Sequence, residues 1–586
     1  LKAGAWTDKA KAAVASIEKV AREGHPTVGL SEAELKRRAA VRAELAQGRP
    51  SAVLSDFTKA SEEERTVVKL VLEAARLVER LYQKQTGSFG LADKIPADDT
   101  ASRMLFQRNQ GPYCEAPLTE NDPACLALSP KPAKLSGLYP KALQEKDAAF
   151  CKTLEASKDA KTLLSPFVVV GEEGGKLSAV PYTTHWKAEM TEVSRLLQSA
   201  ADALKSPAEA PFKAYLTAAS KAFLDNKWEP ADEAWAKMGV TNSKYYLRIG
   251  PDETYFEPCS QKAGFHASFA RINQDSLTWQ NKLDPLKNEM EGALAKLAGA
   301  PYKARKVSFH LPDFIDIIVN AGDSRDSRGG TIGQSLPNWG PVANEGRGRT
   351  VAMTNLYADK DSLDALASQA SSLFCKATMA SWNGDPGVGV MSTVLHEAAH
   401  NLGPSHEYKV NGKKDREVFG GALASMLEEL KAQTSALFYA DWLAGKGTID
   451  KKLAQEAHIR DIAWGFGHIA QGVYTADGKP RPYSQLASIQ MGYFMSVGGL
   501  AWREGEKANN GKDLGCFEVS QDKLSVAILD LEKRVLMIKG KGDKADAEKL
   551  IAEFVDKDDA WKKARAVITE RWLRVPKPSF VYGVKL

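Results

Sequence analysis

Long apolar runs are missing from this sequence. Nothing approaches the roughly 18 consecutive apolar residues a transmembrane helix needs, so no membrane span is expected. C-x-x-C is missing too, which argues against a cysteine-built zinc site or a thioredoxin-type redox pair. Neither sign of charge is in excess: Lys+Arg number 79 against Asp+Glu 74, and no basic patch interleaved with aromatics points to nucleic acid as a partner. Internal repeats and low-complexity tracts are absent, which removes repeat arrays from consideration. The first residue is Leu1 rather than Met, so the numbering is read as beginning inside a longer precursor or a trimmed form, and a removed signal or lipoprotein leader is one of the readings this leaves open. A periplasmic or secreted location is the corresponding expectation.

What is present is ample chain: 586 residues suffice for two to four domains or two large lobes. The six cysteines are Cys114, Cys125, Cys151, Cys259, Cys375 and Cys516. Cys114 and Cys125 flank a polar, proline-containing loop that a disulfide can close, which belongs to an oxidising compartment; the alternative is six scattered thiols in a cytosolic enzyme. Residues up to about 95 read as helical. Ser61 to Glu64 form a capping box before a stripe of Val67, Val71, Ala74, Val78 and Leu81. The stretch from about 96 to 185 is rich in Pro, Gly and Asp and reads as irregular, and helical spacing returns between about 187 and 240. Short β-like runs at 245–249, 306–310, 315–319 and 350–354 follow, and after about 360 the pattern is helical almost to the end. The fold class expected is α+β, mostly helical: a mixed α/β lobe over 1–355 and a helical catalytic lobe over 356–586, with a cleft between them.

His396-Glu397-Ala398-Ala399-His400 is the most informative stretch. Histidines four apart on a helix share a face and can grip one Zn²⁺, and the intervening glutamate can take a proton from a bound water. Asp385 and Pro386 suit the start of this helix, and Gly403-Pro404 its end. A third ligand is needed. His406 completes the literal metzincin spacing. Glu429 is the alternative, on a helix expected from about Asp415 to Trp442 with Leu423, Leu427, Leu430 and Leu437 as its core face, the gluzincin arrangement. His185, His266 and His310 lie on unrelated segments and read as surface or packing residues.

Several stretches resemble the dipeptidyl peptidase III family of zinc peptidases, nearer its bacterial members. Ile249-Gly250-Pro251-Asp252-Glu253-Thr254-Tyr255 resembles its I-G-x-x-E-S/T-Y segment, Leu138-Tyr139-Pro140-Lys141 an upstream F-Y-P element, and Leu336-Pro337-Asn338 its I/L-P-N loop. His396 to Pro404 resembles the bacterial H-E-x-x-H-x-L-G-P form, Glu428 to Gln433 resembles E-E-x-K/R-A-D/E, and Lys541-Gly542-Asp543 a carboxy-terminal G-D element. The matches keep the family's order from about residue 110 to the end. The resemblance implies one Zn²⁺ held by His396, His400 and Glu429, with Glu397 activating water and Tyr255 donating to the oxyanion. It implies that Glu253 and Asn338 hold the free amino terminus of a short peptide, and that Tyr483 stands where the family has a histidine near the substrate, with His468 close by. Gln433 replaces the acidic residue that orients a zinc histidine, and Ser335 replaces the family's first loop asparagine. These departures keep two other readings open: a metzincin-like endopeptidase using His406, and a zinc-binding relative that is a binding protein or acts on a non-peptide substrate.

Overall fold

A computed structural model describes residues 29–307, 311–330, 333–475, 478–557 and 559–586, with Ala12, Ala15, Ser16 and Lys19 before them. His310, the end of the strand expected at 306–310 and most of the helix expected before residue 29 lie outside these residues.

The chain forms two compact units, each assembled from separated stretches. The first takes the chain to Gln274, then Asp313–Asp359 and Lys577–Leu586; the second takes Asp275–Pro312 and Lys360–Pro576. A single cut after residue 355 therefore misplaces two segments. Residues 275–312 include the helix Lys287–Ala298, whose Met290 and Leu294 are fully buried in the second unit, and Lys577–Lys585 pairs in parallel with Gly48–Asp56 in the first. Both attachments join residues far apart in sequence, so no local composition change marks them.

In the first unit, β-branched and aromatic residues build a five-stranded sheet. Its strands are β1 (Tyr245–Glu253), β2 (Gly264–Asn273), β3 (Asp313–Gly322), β4 (Gly333–Leu336) and β5 (Arg349–Met353), in spatial order β1-β2-β3-β5-β4. β3 and β5 are parallel and the other neighbours antiparallel. The first eight residues of β1 are all buried, so this strand is covered on both faces. The helix Glu62–Gln85 packs its Val67–Leu81 stripe against β2 and β3, opening with the expected capping box at Ser61 and Glu64. The segment read as irregular contains more order than expected, a helix at Thr100–Asn109 and a hairpin of Val168–Glu173 with Lys176–Pro181. Two disulfides lie here, the expected Cys114–Cys125 and a longer Cys151–Cys259.

The second unit is helical around one large core. α1 (Pro386–His400) packs along α2 (Gly421–Gly445), and α3 (Lys451–Ile469), α4 (Pro482–Ser496) and α5 (Gln521–Lys541) surround α2. The helix expected from Asp415 is broken: Asp415–Phe419 ends at Gly420, whose φ of +89° lies in the left-handed range. A hairpin of Leu500–Lys507 and Leu514–Val519 interrupts the helices, and Cys375–Cys516 ties it to the segment after Lys360–Leu373. Among the described residues no helix is long and apolar enough to cross a membrane.

α2 is buried nearly all round, yet carries Glu428, Lys431 and Gln433 inside. Buried polar groups cost free energy unless partnered, so each marks a network. Glu532 of α5 is another fully buried polar group against α2. Ser435 Oγ donates to its Oε1 at 2.5 Å, while Oε2 finds no donor among the described residues. Burial pushes its carboxyl from 4.5 up to about 8, against the pull of Ser435 and Lys431. The unfolded chain ionises this group from about 4.5 and the folded chain only near 8, so raising the pH across that window favours unfolding. Glu532→Gln is expected to add about 4 kcal/mol of stability at pH 8 and about 1 kcal/mol or less at pH 5. Melting curves at the two pH values check this, and equal shifts at both would refute it.

Candidate metal centre

The start of α1 follows from its cap. Asp385 Oδ1 accepts from Gly387 N at 2.8 Å, and Pro386 supplies the pre-set φ of a first helical turn. The other end is anchored as firmly. Gly403 has φ +63°, a Cβ there would crowd Leu294 and Leu536 at 3.2 and 3.3 Å, and its N–H donates to Glu291 Oε2 at 2.8 Å. Lys431 Nζ donates to the carbonyls of Ala399 and Leu402 at 2.6 and 3.1 Å, satisfying the open end of the helix. His396 and His400 are thereby held on a rigid face opposite α2.

Their Nε2 atoms lie 3.1 Å apart. Glu429 Oε2 is 3.2 Å from His396 Nε2 and 3.6 Å from His400 Nε2. Each Nδ1 has its own acceptor: His396 Nδ1 meets Gln433 Oε1 and His400 Nδ1 meets Glu428 Oε1, both at 2.9 Å. A carboxylate can only accept, and the amide is presented oxygen first, so both Nδ1 atoms carry hydrogen and both Nε2 lone pairs face inward. Two imidazole lone pairs and a carboxylate oxygen converge on one point, and Glu429 Oε2 has no hydrogen-bond donor. Such a cluster attracts positive charge, either a metal ion or a proton on an imidazole nitrogen.

The donor set fits zinc. Two nitrogens and one oxygen, leaving a fourth position open, match a catalytic zinc site, and tetrahedral bonds of about 2.0–2.1 Å place ligand atoms about 3.3 Å apart. The electrostatics agree in sign. Burial resists a charged His400, yet Glu428 and Glu429 outweigh it and hold the imidazole up at about 10 in the metal-free protein. Glu429 is held well below the ordinary carboxylate range despite burial, because both histidines face it. Glu428 is likewise held down against burial by Lys431 and Lys539. The other candidate ligand, His406, is 60% exposed on its side chain, sits 3.6 Å from Glu407, and is no member of the cluster.

Glu397 lies between the two histidines in sequence and is half-buried. Its carboxylate makes no hydrogen bond or ion pair among the described residues. Tyr483, at the start of α4, is 40% exposed and stacks on His468 with ring centres 5.3 Å apart; His468 in turn packs on Trp464 at 4.3 Å.

The remaining sequence-derived residues belong to the first unit. Glu253 ends β1, half-buried, with Asn338 as a side-chain partner; burial first and the neighbouring Asp252 second push its carboxyl up. Asn338 Nδ2 also donates to the Asp252 carbonyl at 3.2 Å. Tyr255 lies in the following turn and is 90% exposed. Ser335 Oγ lies 2.8 Å from Thr350 Oγ1. Beneath them runs a network that the sequence reading missed. Arg248 donates to Asp252 and Asp232 at 2.8 and 2.7 Å, Asp252 meets His266 Nε2 at 2.5 Å, and His266 Nδ1 meets Ser324 Oγ at 2.6 Å. His266 is thus a buried hub rather than a bystander. Its partners come from β1 and from the turn after β3, so no sequence spacing announces them.

No family model matches the chain. Its fold is that of dipeptidyl peptidase III structures. The structure of that protein from Caldithrix abyssi superposes with a TM-score of 0.78 at 21% identity, covering 92% of this chain and 98% of the other. The one from Corallococcus sp. strain EGB gives 0.69 at 22% identity, covering 94% and 98%. The chain is also 26% identical over 405 residues, 68% of its length, to Nudix hydrolase 3 of Arabidopsis thaliana. It spans about half of that plant protein, 49%, so the plant name describes a protein about twice the matched length.

Proposed function

We propose that this chain is a zinc-dependent peptidase of the dipeptidyl peptidase III type, hydrolysing short peptides and releasing dipeptides from the amino end. The observation that carries the reading is the convergence of His396 Nε2, His400 Nε2 and Glu429 Oε2, with Glu397 next to His396 on the same helix. The dipeptidyl peptidase III fold supports it.

Zinc bound by these three residues supplies Lewis acidity, making water more acidic and a substrate carbonyl more electrophilic. Glu397 takes the water proton on a carboxylate oxygen and returns it to the leaving amine. Gln433 and Glu428 keep the two imidazoles in the tautomer that presents Nε2. The resemblance to dipeptidyl peptidase III gives Tyr255 the role of donating its phenolic hydrogen to the developing oxyanion. Glu253, paired with Asn338, receives the ammonium of the substrate. Glu253→Gln is therefore expected to raise KM for free-amino peptides about tenfold or more, the worth of a charge-assisted hydrogen bond, with a smaller change in kcat. An unchanged KM would remove Glu253 from the clamp.

The test of the whole reading is a mixed peptide library incubated with the purified chain, with and without a chelator, and analysed by mass spectrometry. Dipeptides leaving successively from the amino end support it, and internal cleavage favours an endopeptidase. Zinc bound with no turnover supports a binding protein, the reading favoured by Gln433 in an acidic position and by a Ser335 hydroxyl already engaged with Thr350. The three disulfides support an oxidising compartment, periplasmic or secreted.

A further inference from the structure

Glu428 stands between a zinc ligand and two fully buried lysines. Its Oε1 accepts from His400 Nδ1 and lies 3.0 Å from Lys431 Nζ, and its Oε2 lies 2.9 Å from Lys539 Nζ. Lys431 is shared with the carbonyls that end α1. Lys539 instead meets only carboxylates among the described residues, those of Asp415 and Glu428.

Lys539 reaches this place because α5 stops just beyond it. Gly542 adopts φ +70°, and a Cβ there would crowd Val410 Cγ1 at 3.0 Å and Val418 Cγ1 at 3.2 Å. Asp543 then caps the next helix, accepting from Asp546 N at 3.1 Å. The Lys541-Gly542-Asp543 element is therefore the device that ends α5 against the 410–418 stretch, the same stretch that carries Asp415.

We propose that Lys539 is a positioning residue of the metal centre, acting through Glu428 on His400. The inference rests on the metal reading above. Glu428 has two carboxylate oxygens and needs both held. Oε1 orients His400, and Oε2 faces the Lys539 ammonium at 2.9 Å as an ion pair without hydrogen-bond geometry, with Asp415 on the other side of Lys539. Without the Lys539 ammonium Glu428 keeps Lys431 on its Oε1 side alone, and rotation of the carboxylate about its own axis is less opposed. His400 Nδ1–H then loses a fixed acceptor, and the imidazole no longer commits Nε2 to the cluster. The chain of contacts runs from α5 through Lys539 and Glu428 to the ligand His400.

Zinc affinity is measured on the full chain by competition with a chelator, with the melting temperature followed in parallel. Lys539→Met is expected to weaken zinc binding about 10–100-fold, the range for residues that orient a ligand. A merely structural Lys539, serving as counter-ion to Asp415, predicts that adding Asp415→Asn to Lys539→Met restores both stability and zinc affinity. The positioning role predicts that the double variant recovers melting temperature while zinc affinity stays low. Where Lys539→Met alone does not fold, the double variant carries the test, since it removes both members of the buried pair. Wild-type affinity in either variant overturns the proposal, whereas failure of the wild-type chain to bind zinc overturns the metal reading beneath it.

Discussion

Glu397→Gln is expected to leave zinc in place and to lower kcat by about 10²–10⁴-fold, the usual worth of a positioned general base. The substitution keeps the shape of the side chain and removes only its capacity to take a proton. Glu397 is no member of the metal-facing group, so the ligands His396, His400 and Glu429 are untouched. The helix that carries it is fixed at both ends by Asp385 and Lys431. KM should change little, because no binding role is assigned to this carboxylate. Metal analysis beside steady-state kinetics checks the prediction. Wild-type turnover by the glutamine variant would mean that another group moves the proton, and lost zinc would mean that Glu397 is a ligand.

Glu429→Ala is expected to release zinc, and His406→Ala to retain it. Structural zinc sites bind with roughly 10–16 kcal/mol shared among their ligands, so deleting one of three protein ligands should cost about 3–4 kcal/mol, or roughly 10²–10³ in Kd. The contrast between the variants is the informative part. Glu429 Oε2 lies within 3.6 Å of both imidazole nitrogens, while His406 is mostly exposed and has only Glu407 beside it. Chelator competition on both variants checks this. The reverse order of affinities would restore the metzincin arrangement.

How far the sequence alone reached depends on the range of each interaction. His396 and His400 are one helical turn apart, so their shared face was legible from spacing. The Cys114–Cys125 link was legible for the same reason, its partners being only 11 positions apart. Glu429 required a second helix to lie against the first. Local spacing alone favours His406, and the packing of α1 on α2 brings Glu429 to the histidines instead. The pairings Cys151–Cys259 and Cys375–Cys516, at separations of 108 and 141, follow from folding topology and leave no local mark. The same holds for His266 and Lys539, whose partners arrive from distant strands and helices. Three of the five strands of the sheet are foreshadowed, at 245–249, 315–319 and 350–354, where β-branched and aromatic residues cluster, and β2 at Gly264–Asn273 is not. β4 is four residues long and half polar, too short to show a pattern.

The parallel ribbon of Gly48–Asp56 with Lys577–Lys585 has a consequence for biosynthesis. Almost the whole polypeptide lies between its two strands. A ribosome must therefore deliver the second unit complete before the first can acquire its closing strand, and that edge stays unpaired throughout elongation. Shortening the gene before the codon for Lys577 would leave the Gly48–Asp56 edge open as a template for adventitious pairing between nascent chains.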